Sequence, residues 1–299
     1  GLGAINIKKI AGFLEKNEVK VENLIDASWS NDFLAEIDRS VSNNEVIEKV
    51  QETLNTGGQY YLLHGSPGSG KSMIASTIKF DDSKRKIIGR YLIRTPGDLT
   101  PIYVKASREH FMQWMEDLVS KTLTGEPAAK ENIAWNDLVS RLSTWLGQLN
   151  DYFSAKNETA VIVVDGLDEI LANGNPTSEF LAVLPENLPS NIMVLLSCTS
   201  AEILPANIIS KLTEEQKMHV TPLSQTTALA FVHQENRRLE LGLTITQETL
   251  LAQKSEGHPL YLRYFIETLK VDLPSDKDDW IALLPKIDGD IKNYYELLW

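Results

Sequence analysis

Apolar residues along this chain follow two rhythms. Short apolar runs, "YYLLH" at 60–64, "KIIGRYLIR" at 86–94, "TAVIVVD" at 159–165 and "IMVLLS" at 192–197, read as buried strands. Around them, apolar positions recur at helical spacing, in 5–16, 44–55, 71–79 and 135–153; in the second these are Val46, Ile47, Val50 and Leu54. Strands alternating with helices predict an α/β fold with a parallel sheet covered on both faces. After "HVTPLS" at 219–224 the strand signal stops, and helices are expected at about 225–239, 247–254 and 259–270. A small helical domain therefore begins near residue 223. Residues 272–279, with Pro274 among them, read as a linker or loop. No internal repeat and no low-complexity block interrupts this order.

Composition narrows the function more than the fold. With 42% hydrophobic and 23% charged residues in 299, the chain can build a sizeable core. A net charge of −12 argues against a general nucleic-acid or anionic-membrane binder, because either needs a basic face. No apolar run is long enough to span a bilayer. The single cysteine, Cys198, rules out an internal disulfide and fits a reducing, cytoplasmic compartment. A start at Gly1-Leu2-Gly3 and an end on the apolar "NYYELLW" give the expectation that this is an excised piece of a longer protein.

Candidate chemistry begins at "HGSPGSGKS", 64–72. Gly65, Gly70, Lys71 and Ser72 satisfy G-x-x-x-x-G-K-[ST] between an apolar strand and a helix-forming run, the context that this phosphate loop requires. The backbone of Gly65, Ser66, Pro67, Gly68, Ser69 and Gly70 would curve around an anion, with Met73 just beyond on the helix. The helix N-terminus adds partial positive charge. Lys71 would bridge the β- and γ-phosphates and the Ser72 hydroxyl would ligate Mg²⁺. The second half of the site lies in "VIVVDGLDEI", where Asp165 ends an apolar strand at the edge on which open α/β sheets bind their ligands. Asp165 would hold Mg²⁺, and Asp168 or Glu169 would orient and polarise the attacking water. Together the two motifs imply a protein that binds a nucleoside triphosphate with Mg²⁺.

The "DGLDE" at 165–169 resembles the Walker B motif of STAND NTPases, the signalling ATPases that include the NACHT and AP-ATPase groups. In NACHT members a small residue follows the metal-binding aspartate and two acids lie just beyond, as Gly166, Asp168 and Glu169 do here. "SEGHPLYLRYFIETL" resembles the same family's G-x-P element, here Gly257-His258-Pro259, which opens a helix and packs its proline near the base. "DIKNYYELLW" looks like the start of the winged-helix domain that follows in this family. Upstream, "IDRSVSNNEVI" resembles a degenerate form of the segment that flanks the adenine, making Arg39 and Val41 candidates for contact with it. One position departs from the pattern. Thr199 stands after the fourth strand where many STAND proteins carry arginine, and a neutral side chain there implies slow hydrolysis.

The resemblance implies a P-loop NTPase sheet of the ASCE type, a small helical domain and the start of a winged helix. The expected division is 1–38 an N-terminal helical or linker segment, 39–222 the nucleotide-binding domain, 223–275 the helical domain and 276–299 the truncated winged helix. It also implies an ATP/ADP switch, monomeric at rest and homo-oligomeric on activation. Such a switch fires an effector when a sensor meets its trigger, in prokaryotes often in anti-phage defence. No membrane or direct nucleic-acid contact is expected. The alternatives are a remodelling ATPase of AAA+ type and a nucleotide-binding scaffold with negligible turnover. His64, just before the loop, reads as a strand-end residue rather than a catalytic one, His219 and His233 have no metal-ligand spacing with any Cys or His, and Arg237-Arg238 read as a solvated helix face.

Overall fold

The structure is a computed structural model that describes residues 44–54, 59–80, 84–95, 98–128, 135–172, 177–271 and 276–284. Helix α1 (Asn44–Thr53) leads into strand β1 (Tyr60–His64), and α2 (Lys71–Thr77) follows. Then come β2 (Arg85–Leu92), a short α3 (Ile102–Lys105), α4 (Arg108–Thr124), α5 (Trp135–Ala155) and β3 (Thr159–Asp165). Helices α6 (Leu167–Ala172) and α7 (Thr177–Leu181) precede β4 (Ile192–Cys198), and α8 (Ala206–Ile209) precedes β5 (Lys217–His219). Four helices close the described chain: α9 (Gln225–Leu239), α10 (Ile245–Lys254), α11 (Pro259–Val271) and α12 (Lys277–Leu283).

The five strands form one sheet in the order β2-β3-β4-β1-β5, every pairing parallel. β4 lies between the strand that enters the phosphate loop and the strand that ends on Asp165, as the ASCE type requires. The two-residue period of a strand sorts its side chains to opposite faces. Tyr60 and Leu62 pack with Phe111, Met115, Leu146 and Leu149 of α4 and α5. Tyr61 and Leu63 pack with Val50 of α1, with Leu54 just after it, and with Ile74 and Ala75 of α2. At roughly 1.5–3 kcal/mol for each large apolar side chain buried, these two layers dominate the stability of the unit.

Arg90 of β2 reaches the end of α2, where its guanidinium donates to the carbonyls of Ala75 (3.0 Å) and Ile78 (2.6 Å). Those carbonyls would otherwise end the helix unpaired, so a half-buried cation anchors the helix that begins at the phosphate loop.

Several elements go beyond what the apolar pattern predicts, α4 and β5 among them, and α12 begins at Lys277, inside the stretch 272–279 expected to be a linker or loop, because the Asp276 side chain caps it. Helix α4 starts at the Ser107 cap and ends at Gly125, burying Phe111, Met112, Met115, Leu118 and Val119. Strand β5 has three residues on the edge beside β1, too few to show a period.

Helices α9 to α12 build a second core from Phe231, Val232, Leu251, Tyr261, Leu262, Phe265 and Ile281. Residues 276–299, expected to open a winged helix, divide: α12 packs on this helical unit through Ile281 and Trp280, and 285–299 lie outside the described residues. No described helix is long and apolar enough to cross a membrane.

Candidate functional site

β1 delivers the chain to the carboxyl edge of the sheet, where residues 65–70 turn into α2. The Ser69 amide donates to the Ser66 carbonyl (3.2 Å) and Ile74 to Gly70 (3.0 Å), which closes the loop onto the first helical turn. Lys71 is buried inside this turn. Its Nζ donates to the carbonyls of Gly65 (2.8 Å) and Ser66 (3.0 Å), so the ammonium sits within the loop. Burial lowers its pKa, opposed by the nearby carboxylates of Asp168 and Asp165. A desolvated cation inside a glycine-rich turn is primed for an anion that would restore its charge balance. Met73 is half-buried on α2.

β3 ends on Asp165, whose neighbour across the ladder is Leu92. The carboxylate is buried and its Oδ1 has no hydrogen-bond partner. Burial raises its pKa, with the hydroxyls of Ser197 and Ser72 and the charge of Lys71 opposing the rise. A lone carboxylate oxygen beside the Ser72 hydroxyl is an all-oxygen donor pair of the kind that suits Mg²⁺, which keeps waters and phosphate oxygens for its remaining positions. Among the described residues no cluster of three or more His, Cys, Asp or Glu could hold a metal by itself.

The two acids after Asp165 have different partners. Asp168 Oδ1 accepts from the Thr199 amide at 2.9 Å and from the Thr199 hydroxyl. Thus Thr199, expected to face the phosphates, turns its hydroxyl to Asp168 and ties the end of β4 to the start of α6. Glu169 pairs instead with Arg94, just beyond β2, at 3.1 Å. Arg94 is a residue that sequence reasoning missed, for its only local signal is a position just past a strand end. Arg39 and Val41 lie outside the described residues. Cys198 is a buried thiol whose pKa burial pushes up to about 12, the behaviour of a core residue.

The helical unit reaches the same place. Gly257 has φ +76°, and its carbonyl accepts from the Leu223 amide at 2.8 Å, which pins the turn before α11 to the start of the unit. From this turn His258 and Leu260 press on Gly68 at the tip of the phosphate loop. A Cβ built on Gly68 would lie 2.8 Å from His258 Cε1 and 2.9 Å from Leu260 Cδ2, and its φ of +74° disfavours a side chain in any case. A Cβ on Gly70 would be 3.8 Å from Pro259 Cγ. The structure therefore brings together the loop, Asp165, Asp168, Thr199 and Pro259, although Pro259 opens a helix of the separate helical unit, while Glu169 pairs with Arg94.

Residues 59–238, more than half of the chain, match the family model of the NACHT domain. The chain belongs to the NACHT family. Its NACHT domain covers the whole sheet and α9 up to Arg238, and it carries the nucleotide-binding NTPase function of that fold. Among solved structures, the Walker-type ATPase PABY2304 of Pyrococcus abyssi superposes with a TM-score of 0.53 at 15% identity, over 86% of this chain and 75% of that one. The ORC2 protein of Aeropyrum pernix, in ADPNP and ADP complexes, gives 0.46 at 16% identity over 76% and 60%. CDC6P of Pyrobaculum aerophilum gives 0.46 at 11% over 83% and 66%. At such identities the first likeness speaks for the P-loop NTPase fold of this NACHT chain and for nothing finer. No curated protein matches the chain in sequence.

Proposed function

We propose that this NACHT chain is the ATP/ADP switch of a larger STAND-type signalling protein. It holds ADP as a resting monomer, exchanges it for ATP and hydrolyses ATP slowly. In the ATP state it assembles into a homo-oligomer that fires an attached effector, anti-phage defence being the setting that the resemblance suggests. The observation that carries this reading is the contact of the Gly257-His258-Pro259 turn with the phosphate loop. A nucleotide seated between two units with separate cores favours whichever arrangement it binds better, and its exchange then moves one unit against the other.

Within that reading the loop backbone and Lys71 hold the phosphates, while Ser72 and Asp165 hold Mg²⁺. A bound magnesium ion neutralises phosphate charge. Glu169 is the base that orients water, and Asp168 positions Thr199. Two features argue for slow turnover. Thr199 is neutral where a cation would stabilise the developing charge, and Glu169 is already engaged by Arg94. A rate well under ~1 s⁻¹ is expected, against about 10 s⁻¹ for a typical enzyme.

The test is ADP dissociation from wild type and from Pro259→Gly. Faster release from a folded variant is expected. Equal rates would mean that the helical unit does not close over the nucleotide, leaving a P-loop ATPase without a switch.

A further inference from the structure

Buried polar atoms without partners are rare and costly, so where they gather is informative. Among the described residues, six buried side-chain nitrogen and oxygen atoms have none: Ser69 Oγ, Glu158 Oε2, Asp165 Oδ1, Ser197 Oγ and both ring nitrogens of His258. Glu158 stands before β3, at the opposite end of the sheet. The other five lie on the phosphate loop, on the strand ends beside it or on the turn that presses on it; the Ser197 hydroxyl and Asp165 are neighbours, which leaves Ser69, Asp165 and His258 as three separate polar groups around the loop. Ser69 and Asp165 belong to the loop and to a strand that ends beside it. His258 comes from the helical unit.

Packing alone does not explain a histidine at 258. Leu260, its neighbour in space, shows that an apolar side chain fills the surface of Gly68 without polar cost. The imidazole approaches Gly68 with Cε1 leading, and Cε1 is the ring carbon bonded to both nitrogens. Both nitrogens are therefore at the face that meets the loop. The residue is 7% exposed, so water does not satisfy them. Burial drives its pKa down to about 4, with the Pro67 carbonyl favouring a proton and Lys71 opposing one. The ring is neutral near pH 7, with one N–H to donate and one nitrogen to accept. Neither nitrogen completes a hydrogen bond of ordinary geometry with the Pro67 carbonyl. Behind it, the 13-residue helix α11 starts at Pro259 and directs its positive end toward the loop.

We propose that His258 is a phosphate ligand supplied by the helical unit, its ring N–H donating to a phosphate oxygen of the nucleoside di- or triphosphate held by residues 65–72. This rests on the nucleotide-switch reading and deepens it. The helical unit would then sense the phosphates directly, through a hydrogen bond that exists only when nucleotide is bound and the two units are closed. By linkage, whatever pulls the helical unit away weakens the nucleotide by the same factor.

The experiment uses the nucleotide-stripped chain and isothermal titration with ADP, ATP and inorganic pyrophosphate, which has phosphates and no base. The variants are His258→Leu, which keeps the packing and removes both nitrogens, and His258→Gln, which restores a donor and an acceptor. The expected result is a loss of about 10- to 100-fold for all three ligands in His258→Leu, the effect of removing one hydrogen bond to a charged group. His258→Gln recovers most of it. Because the nitrogens lack partners before binding, the nucleotide-free His258→Leu chain unfolds at or above the wild-type temperature. Unchanged ADP and pyrophosphate affinity in His258→Leu would overturn the proposal. So would a loss confined to ADP and ATP, which would put the ring on the base, or a nucleotide-free chain that melts lower. Lys71→Ala separates the two levels. If wild type binds ADP, Lys71→Ala abolishes it and His258→Leu changes nothing, the switch site stands and only the role of His258 fails. If wild type binds no ADP, both fail.

Discussion

Replacing Gly257 with alanine is expected to loosen the join between the two units and to speed ADP release. The new Cβ would lie 2.1 Å from the Leu223 carbonyl oxygen and 3.1 Å from the Leu223 carbonyl carbon and amide nitrogen. These are backbone atoms, so no side chain can swing aside. Three costs combine. A non-glycine residue in the left-handed region costs about 1–2 kcal/mol, crowding the backbone about 1–3 kcal/mol, and distorting the Leu223–Gly257 hydrogen bond about 1 kcal/mol. The range, roughly 3–6 kcal/mol, is comparable with the whole stability of a marginal domain of about 5–15 kcal/mol. The chain escapes most of it by shifting residues 256–260, which carry His258, Pro259 and Leu260 off the phosphate loop. The assay pairs urea unfolding with the rate of ADP release from the folded variant. A lower midpoint with faster release is expected. Wild-type stability together with wild-type release would refute both the clash and the coupling drawn from it.

Lys71→Ala should lose ADP and ATP binding in titration while staying folded, because the cation inside the loop is gone; wild-type affinity would sink the phosphate-loop assignment. Glu169→Gln should bind ATP and hydrolyse it more slowly in a single-turnover assay. Asp168→Asn should be milder than Asp168→Ala, since an amide oxygen can still accept from Thr199; a dead Asp168→Asn would move the base to Asp168. Acid should weaken the nucleotide-free chain through His258. Its folded pKa, about 4, lies below the ordinary 6.5, so the unfolded chain binds the proton first as pH falls. That stability is present above pH 6.5 and is lost toward pH 4, by at most about 3 kcal/mol. Urea midpoints between pH 4.5 and 7.5 should show this slope in wild type and less of it in His258→Leu, and parallel curves would contradict it.

The sheet was legible because buried parallel strands leave unbroken apolar runs. Tyr60–His64, Thr159–Asp165 and Ile192–Cys198 coincide with such runs to within a residue. The phosphate loop and Asp165 were legible because their chemistry is local, one motif on each of two strands. Helix α4 carried a signal that could have found it, namely the Ser107 cap and the spacing of Phe111, Met115, Leu118 and Val119. It follows a stretch broken by Pro96, Gly97 and Pro101, which carries the signal of a loop. What the sequence hid was pairing at a distance. Arg94 meets Glu169 across 75 residues and Thr199 meets Asp168 across 31, and neither partner differs from an ordinary surface residue until the strands bring them side by side. His258 was hidden for the same reason. In the sequence it is the variable position between Gly257 and Pro259, and only the docking of two cores turns it onto Gly68.

The most direct test of the switch is the nucleotide that the protein already carries. Freshly purified chain is denatured, and the released small molecules are separated and quantified against protein. The account predicts an adenine nucleotide, mostly ADP, near one per chain, and little of it in Lys71→Ala. Absence of any nucleotide from wild type, with no uptake when ADP or ATP is supplied with Mg²⁺, would contradict it.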